Sequence, residues 1–216
     1  MKRFQRRKRA SKAEEQGAQA RADTAANASP LMIDAVPIGP GLLYPDMLPA
    51  NVWGSNLRGI LSSGDWDRIR IPVCERAGNR CEVCGQPGFD PESGRPRRPD
   101  CHELWHFEVA STSAVQRLAG LIALCPDCHR VQHAGRAAVK GELSLVVEQL
   151  RAINGWTDPE IRLALENADE RFQWRRRYRW DLNLGLLAPE IHIPGSTNLI
   201  IPASQRMRLG NSYLGK

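Results

Sequence analysis

Long apolar runs are missing from this chain. The longest, Leu118 to Cys125, is far short of the ~20 residues that span a bilayer. The opening residues, Met-Lys-Arg-Phe-Gln-Arg-Arg-Lys-Arg, lead into no apolar stretch of the length a secretory signal needs. The expectation is a soluble, cytoplasmic protein with no membrane contact. Internal repeats are absent, aromatic residues make up only 6%, and no βαβ pattern frames the cysteines. That last absence argues against a thiol redox protein, whose Cys-x-x-Cys belongs near such a unit. Cysteine itself is sparse, six in 216 residues, and in a reducing compartment closely spaced cysteines are metal ligands more often than disulfides. Hydrophobic (42%) and charged (25%) fractions lie near the soluble average, which excludes a fully disordered or fibrous chain. The length allows one good-sized domain with appendages or two small ones.

Charge is unevenly spread. Residues 1–30 carry eight basic side chains (Lys2, Arg3, Arg6, Arg7, Lys8, Arg9, Lys12, Arg21) against three acidic ones (Glu14, Glu15, Asp23), a net +5 of the chain's +6. With one aromatic and no apolar periodicity, this segment reads as a disordered basic arm. Residues 31–62 hold Pro37, Pro40, Pro45 and Pro49 among several glycines and read as an irregular segment packing on the core or leading to it. Residues 63–141 carry nearly all the cysteines and histidines. Trp66, Ile69, Val73 and Ala77 open that region at helical spacing, with Gly78 as a stop and Pro72 as a reason to doubt a straight helix.

A helical extension spans 142–187. Leu143, Val146, Val147, Leu150 and Ile153 form one amphipathic helix ended by Asn154-Gly155. Thr157-Asp158-Pro159-Glu160 is a capping box that opens a second helix, with Ile161, Leu165, Ala168 and Phe172 facing the core. Residues 188–216, with their prolines, glycines and short β-branched runs, read as an extended tail.

Cys81-x-x-Cys84 and Cys125-x-x-Cys128 have the spacing at which a tight turn aims two thiolates at one ion, and four thiolates close a structural zinc site. The 40 residues between the pairs must fold into something of their own. Within them, Asp100-Cys101-His102-Glu103-Leu104-Trp105-His106-Phe107-Glu108 suits a strand with one wet face. Leu118, Gly120, Ile122 and Leu124 make a second strand running into Cys125. Pro126 then opens a helix on which His129 and His133, at i and i+4, project from one face and can share an ion. Cys74 reads as a small buried residue, and His192 as structural or exposed. His106 and Glu108 read either as reaching the same site as these histidines or as part of a cross-strand polar pair on the wet face.

In order and spacing, Cys81-x-x-Cys84, the His102 strand and Leu124-Cys-Pro-Asp-Cys-His-Arg-Val-Gln-His133 resemble the HNH nucleases that carry a four-cysteine zinc knuckle, over roughly residues 66–136. The resemblance implies an α+β protein: a small zinc-stabilised ββα-metal core with flanking helices and irregular N- and C-terminal segments. Cys81, Cys84, Cys125 and Cys128 would hold structural Zn²⁺. His102, His129 and His133 would hold a catalytic Mg²⁺, Mn²⁺ or Zn²⁺, with His102, Glu103 and His129 as catalytic residues.

Two registers are open. With His102 in the family's first strand position it is a ligand, and Glu103 falls where the general-base histidine usually sits. With Cys101 there, His102 becomes the base. The first supplies three neutral imidazoles and an open site, and is preferred. Gly120 stands where the family places its middle Asn.

The implied activity is metal-dependent hydrolysis of DNA phosphodiesters by an endonuclease or nickase of bacterial or phage type. The alternative is a catalytically inactive zinc module binding nucleic acid or a protein. Arg175, Arg176, Arg177 and Arg179, interleaved with Trp174, Tyr178 and Trp180, suit phosphate neutralisation and stacking on double-stranded DNA, or a solvated helix end over core tryptophans. Arg97 and Arg98, in the loop before the histidine strand, and Arg130, on the metal helix, are further candidates for the nucleic-acid interface.

Overall fold

The computed structural model describes residues 32–53, 56–187, 191–194, 196 and 198–210, the last four by backbone alone. The basic segment 1–30 lies outside the described residues. The chain enters through three short strands, β1 (Met32–Ala35), β2 (Ile38–Gly39) and β3 (Leu42–Leu43), then a 3-10 turn (Ala50–Val52) and the one-turn helix α1 (Leu57–Ile60). Asn56 caps α1 by accepting the Gly59 N–H at 2.7 Å. Helix α2 (Ser63–Arg76) starts on Ser62, whose Oγ accepts the Asp65 N–H at 3.1 Å. It continues through Pro72 and ends at Gly78, whose φ of 61° is a conformation open to glycine at little cost.

The next segment makes the two-cysteine turn and returns along Gly88. A Cβ there would lie 2.4 Å from the Pro99 nitrogen, so only glycine lets the strand entry pack this closely. Strands β4 (Asp100–Ala110) and β5 (Ser113–Leu124) then pair as one long antiparallel hairpin, in register from Asp100↔Leu124 to Ala110↔Ser113. A bulge between Leu104 and Trp105 interrupts the ladder. Helix α3 (Pro126–Gln132) follows β5 at once, with Cys125 as its cap and Pro126 in its first turn.

Helices α4 (Ala134–Val139), α5 (Leu143–Asn154) and α6 (Asp158–Arg175) come next. Gly155 ends α5 at φ 67°, and the Glu160 carboxylate closes the capping box of α6 by accepting the Thr157 N–H at 2.7 Å. Strands β6 (Asp181–Asn183) and β7 (Ile200–Ile201) and helix α7 (Ala203–Gly210) complete the described chain. Residues 188–216 are therefore not simply an extended tail. Ile201 buries beside Leu182, and Asp181 Oδ1 accepts the Ala203 N–H at 2.8 Å, which starts α7 directly after Pro202.

The architecture is mixed α+β. One sheet has the order β1-β4-β5-β6-β7, antiparallel except where β6 runs parallel to β5. The hairpin links two apolar cores. Beyond the bulge, Trp105, Phe107 and Leu118 pack with Leu57, Trp180, Leu182 and Ile201; before it, Ile122 and Leu124 pack with Cys128, Val131, Val146 and Leu150. Each of these large apolar side chains contributes about 1.5–3 kcal/mol by leaving water. Among the described residues no helix is long and apolar enough to cross a membrane.

Candidate functional site

Both Cys-x-x-Cys pairs sit on tight local structure at one end of the hairpin. Cys81 lies in a turn closed by the Gly85 N–H on the Cys81 carbonyl (2.8 Å), while Cys125 and Cys128 occupy the start of α3. The Glu82 N–H reaches the Ala123 carbonyl at 2.8 Å and fastens the turn to β5. The four sulfurs lie within 4.8 Å of one another, with Cys84 and Cys125 at 3.6 Å. Four thiolates about 2.3 Å from one zinc ion would stand about 3.8 Å apart, so the cluster can hold a tetrahedral metal. Gln149 on α5 donates to the Cys128 sulfur at 3.2 Å, orienting a ligand from outside the cluster. Hydrogen bonds among the sulfurs push the Cys81 thiol far down and, together with burial, push the Cys125 and Cys128 thiols up, so one sulfur of the cluster takes the thiolate form most readily.

A second group forms where α3 crosses the start of β4. His102 from the strand and His129 and His133 from the helix bring one nitrogen each within 4.8 Å of the others. Ring centroids stand 4.6–5.1 Å apart, and the Nε2 atoms of His129 and His133 face each other at 3.0 Å. His102 is 5% exposed, and its Nδ1 is buried with no hydrogen-bond partner. An orphaned buried acceptor is costly unless something binds it, and an ion shared by three imidazoles would do so. Burial pushes the His102 imidazole well below its ordinary value, and burial together with the His129 and Arg136 charges brings His133 to about 3. Both are therefore neutral near pH 7, the form that ligates.

Asp100 supports this group from two residues upstream of His102. Its Oδ2 accepts from His129 Nδ1 at 3.1 Å, which leaves Nε2 turned to the other histidines. Arg97 grips the same carboxylate at 3.0 and 3.2 Å. Burial raises the Asp100 carboxyl, but the His129 hydrogen bond and charge and Arg97 outweigh it and hold the group below the usual range. Sequence reasoning passed over Asp100. The available signal was a carboxylate on the same strand face as His102, at period two.

Glu103 lines the same cleft but stands outside the histidine group. It is 9% exposed, its Oε1 accepts the Leu57 N–H at 2.8 Å, and burial raises its carboxyl above the ordinary value. Gly120 pairs with Leu104 and offers no side chain, and a Cβ there would meet Leu104 Cδ1 at 3.4 Å. His106 and Glu108 both neighbour Arg117 on the strand pair and do not line the cleft. Cys74 is buried and donates to the Pro99 carbonyl at 3.3 Å, and His192 is exposed.

The candidate arginines separate into different roles. Arg97 and Arg98 line the cleft. Arg130 does not, and is paired to Asp127 at 2.7 Å and Glu142 at 3.4 Å. Arg175 is no surface contact at all: it is fully buried, bound to Asp34 at 2.6 Å and Asp46 at 2.7 Å, with its guanidinium 4.2 Å above the Phe107 ring. Trp174, Tyr178 and Trp180 pack on one another at centroid distances of 5.2–5.6 Å, as parts of a core. Arg176, Arg177 and Arg179 are exposed and do not line the cleft.

The chain matches no protein-family model, and no curated protein or solved structure is similar enough to it to count as a match.

Proposed function

We propose that the chain is a metal-dependent nuclease of HNH type, an endonuclease or nickase that hydrolyses DNA phosphodiesters. In this reading Cys81, Cys84, Cys125 and Cys128 hold a structural zinc, while His102, His129 and His133 hold the catalytic ion in a ββα-metal core. The observation that carries it is the meeting of three imidazoles, one with an orphaned buried nitrogen, beside a separate four-thiol cluster. The cysteines can stabilise a scaffold, and the histidines, whose cleft opens to solvent, remain for chemistry.

A divalent ion at the histidines would neutralise charge on the scissile phosphate and on the leaving oxygen. Three imidazoles with no carboxylate among them suit Zn²⁺ or Mn²⁺ better than Mg²⁺, which prefers oxygen ligands. Glu103 is the general base. Its Oε1 is engaged by the Leu57 N–H, Oε2 remains to take a proton from water, and burial raises its carboxyl above that of an exposed glutamate, which strengthens it as an acceptor.

One observation favours a second reading, a non-catalytic zinc module that binds nucleic acid or a protein: Gly120 supplies no side chain where the family places an Asn that orients the base. A supercoiled-plasmid nicking assay with Mn²⁺, Zn²⁺ or Mg²⁺ separates the two. The nuclease reading expects nicking by the wild type, a loss of about 10²–10⁴-fold in Glu103→Gln, and no detectable product in His129→Ala. Equal nicking by His129→Ala would refute it, and inactivity with every metal would favour the binding module.

A further inference from the structure

The cleft above the histidines measures about 1680 Å³, beyond the ~300–1,000 Å³ of pockets that enclose a small molecule. Its apolar wall comes chiefly from the first core (Val52, Ile60, Leu61 and Trp105), with Met47 at the edge of the second, and at this size it suits a length of polymer better than a compact ligand.

Its cations are not equivalent. Arg97 is bound to Asp100, and Arg70 to Asp67 at 2.7 Å. Arg98 lies 3.6 Å from Glu75, and Lys140 3.8 Å from Glu142. Arg58 on α1 and Arg136 on α4 also line the cleft, are exposed, and have no ion-pair partner among the described residues. A cation held at a cleft wall without a carboxylate is free to take an anion of the ligand. Arg136 also follows His133 by three residues, in the turn whose Ala137 N–H reaches the His133 carbonyl at 3.0 Å, so one of these free charges stands beside the histidine group.

Trp53 lines the same cleft and is 66% exposed. Its indole N–H donates to the Leu48 carbonyl at 2.8 Å. The ring is thus pinned by its edge, and most of its surface faces solvent. A large exposed indole tethered by a hydrogen bond is an entropically cheaper stacking platform than a free one, because part of its rotamer freedom is already restricted before binding.

We infer that the cleft takes a nucleic-acid strand with at least one unpaired base, Arg58 and Arg136 holding phosphates next to the one at the histidines and Trp53 stacking on the unpaired base. Nucleic acid as the occupant rests on the nuclease reading; the preference for an unpaired strand rests on Trp53. Bases inside an intact duplex are already stacked on their neighbours and offer an indole no face. A gap, bubble, loop or single strand does.

The test uses the full chain carrying His129→Ala, so that bound strands stay uncut, with its zinc content checked against wild type. Fluorescence anisotropy compares labelled single-stranded DNA, single-stranded RNA, intact duplex, and duplex with a central bubble. The bubble and the single strands should bind about tenfold or more tighter than the duplex, within the range of one stacked base. Adding Trp53→Ala should abolish that difference and leave duplex binding unchanged, while Trp53→Phe keeps most of it. Adding Arg58→Gln and Arg136→Gln should weaken every strand and lower the salt slope by about two, one per lost phosphate contact.

Equal binding of duplex and bubble, or a preference that survives Trp53→Ala, overturns the inference even if the wild type nicks plasmid. A Trp53-dependent preference in a protein that nicks nothing keeps the inference and removes the nuclease reading instead. DNA and RNA arms that differ assign the sugar; arms that agree assign the base and phosphate alone.

Discussion

Asp100 shows how much a single residue can decide here. An imidazole ligates through one nitrogen only, and the partner of the other nitrogen sets which one. Asp100 takes the Nδ1 side of His129 at 3.1 Å and is itself clamped by Arg97, so His129 presents Nε2 to the group with little freedom to turn. Asp100→Asn keeps the size but removes the charge and half of the acceptor capacity. The affinity of the histidine site for Co²⁺ or Zn²⁺ should fall about 10–100-fold, read by calorimetric titration, while zinc held by the cysteines stays stoichiometric. Undiminished affinity would show that Asp100 only anchors Arg97. The histidines themselves were legible in the sequence because their spacing states a geometry: i and i+4 on a helix, one more on the first strand of the hairpin that leads to it. The Asp100 contact was not, because it depends on how α3 crosses β4, a tertiary fact that no local pattern records.

At the level of elements, Arg175 ties α6 to the strand that enters the sheet. The buried stripe of α6, Ile161, Ala164 and Ala168, continues seven residues on to Arg175, so helical periodicity alone places this side chain inside. The cation misled the sequence reading, since arginine among arginines is ordinarily solvated. Inside, it serves Asp34 of β1 and Asp46 after β3 at once and also donates to the Met47 carbonyl at 3.2 Å. Burial raises the Asp46 carboxyl although Arg175 pulls it down. Arg175→Met would fit the space yet leave two carboxylates without a counter-charge, and should lower stability by about 3–5 kcal/mol, measured by urea denaturation. Replacing both aspartates by Asn in the same variant should restore most of the loss. A single variant as stable as wild type would mean that Asp34 and Asp46 find water or protons instead. The capping box of α6 and the glycine stops of α2 and α5 were readable beforehand, since each is a local agreement between residue type and backbone. The parallel pairing of β6 with β5 was not, being too short to carry a pattern.

For the whole molecule, charge and site are separable. The first thirty residues hold +5 of the net +6, so the rest of the chain is close to neutral and its cleft carries a few placed cations such as Arg58 and Arg136. A basic segment of that kind attracts a polyanion by releasing its counterions, and it does so without regard to sequence. Each phosphate neutralised adds about −0.9 to the slope of log K against log salt. Removing residues 1–30 should therefore flatten that slope by up to about 4 and weaken binding chiefly at low salt. Nicking at saturating DNA should be untouched, because the cysteine and histidine groups lie wholly within residues 81–133. A salt series of anisotropy titrations on full-length and shortened protein, with nicking measured in parallel, decides this. An unchanged slope would place the cationic contacts on the body, and loss of nicking at saturation would make the first thirty residues part of the catalytic unit.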